Sequence, residues 1–254
     1  MIKLIIKQAN WGVAGSIFGF VIGFFVKIYL IDIIGVEQWG KYVSAHAFSG
    51  AMSTIISFGI PWVIVKYIPQ YINADLTSSK QLIRKILNYS IVISIVFFLV
   101  MFFLAPALDV YIYKEINDFS LILLVTSINV PISILMGIII SLYRSAFKIK
   151  EIMLYGTFII VPLRAILTYF VFIYTDNVLY FIAIEIFTSF ISLSLLLYLF
   201  NKNVFSIFFI KKDINFKINS EIIGYAKKMY AISLVTFFAG ESLSLILSFM
   251  LPSF

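Results

Sequence analysis

The sequence predicts an all-α fold, a polytopic membrane bundle of about seven transmembrane helices with its N-terminus on the cytoplasmic side. Three observations carry that expectation. The chain is 62% hydrophobic and 12% charged, with a mean hydropathy of +1.07, far more apolar than water-soluble domains. Its apolar residues fall into seven runs, 9–34, 42–64, 86–107, 119–142, 153–174, 178–200 and 229–251. Each run suits a helix crossing hydrocarbon, which needs about 20 residues and must satisfy its own backbone hydrogen bonds. Finally, the basic residues alternate between the connections. Lys3 and Lys7, Lys66 to Lys85, Arg144 to Lys150 and Lys202 to Lys228 fall on one side, against Lys41 and Lys114 on the other. Basic excess marks the cytoplasmic side. The net charge of +7 is therefore read as orientation, and with no polar domain to carry a basic patch, nucleic acid is not an expected partner.

The first run is too long for the core of a signal peptide and is expected to remain as an uncleaved anchor. Gly15, Gly19 and Gly23 recur every fourth residue and Lys27 takes the next beat. Residues four apart share a helix face, and small residues there admit a close neighbour, so Lys27 is expected to point into the bundle. The second run carries His46, Ser49, Ser53 and Ser57 at helical spacing. In the 66–85 connection, Thr77 or Ser78 is placed to cap a short helix leading into the third run. The outer links 35–41, 108–118 and 175–177 are short, so neighbouring spans should be antiparallel, with no folded domain outside. In the fourth and fifth runs Pro131, after Asn129, and Pro162, beside Arg164, are expected to bend their helices. Thr157, Arg164 and Thr168 share one face of the fifth run, and Glu185, Thr188, Ser189 and Ser192 one face of the sixth. Residues 201–228 mix Phe and Ile with lysines, as a connector lying against anionic headgroups would. The seventh run holds Glu241.

Ionisable groups inside spans cost roughly 2.5–3.5 kcal/mol each on insertion scales, which makes Lys27, Arg164, Glu185 and Glu241 the informative positions. At about 1.5 Å per residue, all four fall in one slab between the midplane and the outer face. Arg164 with Glu185, on adjacent spans, is the expected ion pair. The polar stripes, Ser49, Ser53, Asn129, Thr157, Thr168, Thr188 and Ser189, are candidates to line a common cavity, against the plainer reading that hydroxyls bond their own backbone. His46 is a further binding candidate, against the plainer reading of a packed, hydrogen-bonded ring.

Other chemistries lack their residues. Glycines spaced for a dinucleotide fingerprint or a P-loop are missing, one histidine and no cysteine make a transition-metal site unexpected, and the acids form no paired cluster. No cofactor is expected, and an enzyme is disfavoured. A helix bundle with a partly cationic interior suits the movement of an anionic amphiphile or solute.

The stretch NWGVAGSIFGFVIGFFVKIYLIDIIGVEQWGKY, a long first span ending in Gly-x-Glu-x-Trp-Gly, resembles the polysaccharide flippases of the O-antigen translocase type, within the multidrug/oligosaccharidyl-lipid/polysaccharide exporter superfamily. FGIPWVIVKYIPQY and YRSAFKIKEIMLYG extend the resemblance. It implies a translocase that moves a polyprenyl-diphosphate-linked oligosaccharide to the outer leaflet by alternating access. Lys27 and Arg164 would meet the diphosphate, while Glu185 and Glu241 would hold those cations or couple an ion. Family members have two six-helix lobes. The resemblance therefore implies a first lobe at 1–200, a basic connector at 201–228 and the first helix of a truncated second lobe at 229–254, with a second lobe or other assembly proteins as partners. Where family members often carry a basic residue three positions before the loop glycine, this chain has Asp32. The alternatives are a drug/cation antiporter of the same superfamily, which would need carboxylates to dominate the first lobe, a sugar polymerase or ligase, which would need a long outer loop, and a nonfunctional remnant.

Overall fold

The structure is a computed structural model that describes residues 2–74, 76–111, 119–207 and 219–240. Among these residues it is an all-α bundle. Helix α1 (Ile2–Ser57) is two legs joined at Gly35, whose φ of 81° and ψ of 164° interrupt the helix. Then come α2 (Ile60–Ala74), α3 (Leu76–Tyr111), α4 (Phe119–Ser127), α5 (Asn129–Ser145) and α6 (Ile149–Ile152). A π-helical turn (Met153–Phe158) leads into α7 (Ile160–Phe172), followed by α8 (Val178–Asn203) and α9 (Ser220–Gly240). Five helical stretches are long and apolar enough to cross a membrane, among them Ile6–Ser57, which contains both legs of α1. The first six expected spans correspond to the two legs of α1, the second continued by α2, then α3, α4–α5, α6–α7 and α8, while of the seventh, 229–251, α9 covers the part up to Gly240 and the rest lies outside the described residues.

The links are tighter than the apolar runs suggest. Gly35 alone turns the chain where a seven-residue link was expected, because its positive φ is open to a residue without Cβ. Lys27 and Trp39 flank the turn, and the ammonium lies 5.9 Å from the indole centroid, a contact that a straight helix would not allow. Beyond the turn, Glu37 Oε1 meets the buried Lys41 Nζ at 2.8 Å. The Lys41 hydrogen bond, then its charge, holds the exposed Glu37 carboxyl below its usual value. A lowered folded value means that this pair contributes above the ordinary carboxylate pKa and loses its contribution as pH falls through the lowered one. The gap in thermal unfolding midpoint between the native chain and Glu37→Gln is therefore expected to close on acidification and to be small throughout, as exposed pairs are.

At the other end of the second leg, Phe58 (φ 48°) and Gly59 (φ 69°) separate α1 from α2. Here α9 crosses so closely that a Cβ on Gly59 would stand 2.7 Å from the carbonyl oxygen of Ala226 and 2.9 Å from the nitrogen of Tyr230. The ring of Phe58 stacks on Tyr230 at 4.6 Å. Thr77 and Ser78 lie in the first turn of α3, not ahead of it as a cap would, and residue 75 lies outside the described residues. Pro131 and Pro162 each occupy the third position of a restarted helix, α5 and α7. A missing N–H costs nothing in a first turn, so the bends fall just before the prolines, at Ile128 and at the π turn.

The first leg of α1 runs parallel to the fifth span. Gln8 accepts from the Lys150 backbone N–H at 2.9 Å, Phe18 meets Phe158 at 4.6 Å, and Tyr29 Oη donates to the Tyr169 carbonyl at 3.4 Å. Lys150, Lys148, which donates to the Asn203 carbonyl, and Lys66, which sits over the Tyr225 ring, all gather at the same end of the bundle. Two apolar cores stack along the bundle. One, at the basic end, includes Ile64, Leu82, Ile139, Leu142 and Phe200. The other, at the Gly35 end, includes Leu30, Met101, Phe119, Leu123 and Ile182. Between them lies a buried polar layer: Ser49, Ser90, Ser94, Thr126, Ser127, Asn129, Glu185 and Thr188.

Candidate functional site

The polar layer is organised around Glu185, seven residues into α8 and buried. Tyr42 Oη donates to its Oε2 at 3.2 Å, and Asn129 Nδ2 donates to the same oxygen at 3.4 Å. His46 Nδ1 stands 3.8 Å from Oε2. On the other side, Arg164 NH1 reaches Oε1 at 3.4 Å. One carboxylate thus joins α1, α5, α7 and α8. Isolated, it would be costly in an apolar bundle; ringed by donors and a cation it is tolerated.

Arg164 is held by three acceptors on α8. Its Nε donates to Thr188 Oγ1 at 2.9 Å, NH2 to Ser189 Oγ at 3.1 Å, and NH1 to Glu185. Glu185, Thr188 and Ser189 lie three and four residues apart, on the α8 stripe facing α7. Thr188 also donates to the Ile184 carbonyl at 2.8 Å, which orients its oxygen lone pairs towards the guanidinium. The ion pair is loose: 3.4 Å is long for a charge-assisted hydrogen bond, and the Arg164 side chain keeps 29% exposure against 10% for Glu185. A phosphate oxygen approaching from the exposed side could therefore exchange with Glu185 as the partner of Arg164.

His46 is half exposed, at 52%, with its ring 5.5 Å from that of Tyr42. Tyr42 in turn packs on Trp39 at 5.0 Å and Phe181 at 5.2 Å, and Trp39 carries Lys27 on its face. An aromatic relay therefore joins the helix turn at Gly35 to the carboxylate. Lys27 itself is exposed and makes no ion pair among the described residues, so it does not join Arg164 and Glu185. Its inward placement was expected from the glycine stripe. A four-residue repeat, however, drifts about 40° per step on a helix of 3.6 residues per turn. A Cβ on Gly15 would run into the Met153 side chain and one on Gly19 would press on Thr157, while one on Gly23 would meet no neighbouring element within 4 Å. By Lys27 the stripe has turned off the contact face.

The remaining candidates divide. Asn129, Thr188 and Ser189 are in the cluster. Ser49 and Thr168 are buried with hydroxyls that have no partner among the described residues. Ser53 is half buried, and Thr157 packs under Gly19 with its hydroxyl 3.9 Å from Met153 Sδ. Glu241 lies outside the described residues. Sequence reasoning missed Tyr42, the hydrogen-bond donor nearest Glu185, and Ser90, Ser94 and Thr126 of the polar layer. Tyr42 lies one turn before His46 on the stripe already singled out, a spacing that would have included it.

The model of the polysaccharide biosynthesis protein family matches residues 5–253. The chain belongs to that family. The match runs through both legs of α1, the Glu185 cluster and α9, so the arrangement described above is that of a polysaccharide biosynthesis protein embedded as a multi-pass helix bundle in a membrane. No curated protein and no solved structure matches it significantly.

Proposed function

We propose that this polysaccharide biosynthesis protein is a flippase, a non-enzymatic translocase that moves a polyprenyl-diphosphate-linked oligosaccharide from the cytoplasmic to the outer leaflet of the plasma membrane. Its basic end would face the cytoplasm, as cytoplasmic ends do, and residues 1–200 would form the first of two lobes. The observation that carries this reading is Arg164: a cation deep in an apolar bundle, partly exposed, and held by a long bond to one carboxylate. A diphosphate headgroup crossing bare hydrocarbon loses its hydration at a cost of tens of kcal/mol. A guanidinium that donates bidentate hydrogen bonds to phosphate oxygens replaces that hydration. Glu185 would neutralise Arg164 between cargoes, with His46 Nδ1 3.8 Å from the other oxygen of the same carboxylate. Lys27, near the Gly35 turn with only an aromatic face beneath it, is a second contact for the departing headgroup.

The test is surface glycan and lipid-linked precursor measured in cells that depend on this protein. Lys27→Ala is expected to lower surface glycan severalfold with precursor accumulating, and Arg164→Ala to abolish it. Normal glycan in both variants overturns the assignment. Loss of resistance to a cationic drug with glycan intact would instead identify a drug/cation antiporter.

A further inference from the structure

At the basic end, α9 does not close fully on α2 and α3. A groove of ≈ 280 Å³ remains between them, walled by Ile60 and Val63 of α2, Leu82 and Ile86 of α3, and Ile222 and Ile223 of α9. That volume lies at the low end for small-ligand sites and suits a stretch of hydrocarbon, since nearly all its walls are aliphatic or aromatic. Its rim has a different character. Lys85 and, one turn further along α3, Tyr89 also line the groove. The exposed Lys227 follows the lining residue Ala226. Glu221, which precedes the lining residue Ile222, accepts from Tyr67 Oη at 3.2 Å, one turn beyond Val63, and Lys66 lies over the Tyr225 ring.

Lysines and a tyrosine at the end of an apolar helix mark headgroup depth. Clustered lysines there attract anionic lipid at about 1 kcal/mol each. We propose that this groove is a binding site for an anionic phospholipid, with one acyl chain between α2, α3 and α9 and the headgroup phosphate at Lys85 and Lys227. The site is separate from the Glu185 cluster and does not depend on the cargo. Because Phe58 also lines the groove, the bound chain would lie against the break between α1 and α2.

The full chain, stripped of lipid in detergent, would be titrated with phosphatidylglycerol or phosphatidylcholine of matched acyl length, with retained lipid counted by native mass spectrometry. Phosphatidylglycerol is expected to be retained at least about fivefold better. Lys85→Gln should remove most of that preference, Lys227→Gln about half of it, and Ala226→Leu, which fills the groove, should lower retention of both lipids severalfold. Equal retention of the two lipids by the native chain overturns the proposal, as does an undiminished preference in both lysine variants. An unaffected Ala226→Leu variant places the lipid elsewhere and overturns it too. So does glycerol phosphate binding as tightly as whole lipid, which would make this a free-phosphate site.

Discussion

Arg164→Ala is expected to destabilise the bundle by about 2–3 kcal/mol and to reduce translocation more than tenfold. Removing one partner of a buried pair typically costs 3–5 kcal/mol because the other charge is left uncompensated. The expectation here is smaller because the pair is long, at 3.4 Å, and so is weakly coupled to begin with. Glu185 would also keep its contacts with Tyr42, Asn129 and His46. Two roles of the arginine can be separated by adding Glu185→Gln. The neutral amide keeps the size of the carboxyl, so Arg164→Ala with Glu185→Gln should recover most of the lost unfolding free energy, a coupling read from the double-mutant cycle. Translocation of a labelled lipid-linked oligosaccharide in reconstituted vesicles should not recover with it. Should the double variant transport normally, the guanidinium would be a structural counter-ion alone.

Gly59→Ala is expected to cost about 3 kcal/mol and to loosen α9 from the bundle. Two penalties coincide at this residue. A φ of 69° places any Cβ against the following carbonyl, at roughly 1–2 kcal/mol. The same Cβ would lie 2.7 Å and 2.9 Å from backbone atoms of Ala226 and Tyr230, which cannot rotate aside as a side chain tip would. Thermal unfolding in detergent measures the cost. Gly23→Ala is the control: that position is helical and open, and the change should be neutral or stabilise by up to about 1 kcal/mol. Since the chain has no cysteine, Phe58→Cys with Tyr230→Cys reports the contact directly by disulfide formation. The crosslink should form in the parent background and fall sharply when Gly59→Ala is added. Equal crosslinking would show that the helices accommodate the methyl group.

Much of the architecture could be read from hydropathy, because a span in hydrocarbon must be helical and of a set length. The pairing of Arg164 with Glu185 was legible for a related reason: few groups can neutralise a charge there, and these two sit on consecutive spans. What hydropathy could not supply was rotation. Lys27 lies on a stripe that begins on the contact face at Gly15 and leaves it within three repeats, and only the packing of α1 on the π turn fixes where. Tyr42 was hidden by its aromatic bulk, which reads as one more apolar residue, although its hydroxyl is what bridges α1 to Glu185. The helix breaks at Ile128 and ahead of α7 were signalled by Pro131 and Pro162, yet displaced by two residues or more, since a proline is accommodated inside a first turn and bends the chain before itself.

The stacking of two dry cores with hydroxyls and a carboxylate between them has a mechanical consequence. Jigsaw packing resists shear in each half, whereas contacts through exchangeable hydrogen bonds can be remade in a new register at little cost. Several hydroxyls at this level, Ser49, Ser90, Ser94 and Thr126, have no bonding partner among the described residues to lose, and the α4–α5 interruption at Ile128 falls at the same height. The waist of the bundle is thus joined by polar contacts, the Arg164–Glu185 pair among them, and any change of register there must bend α3 and α8, which run unbroken through both cores.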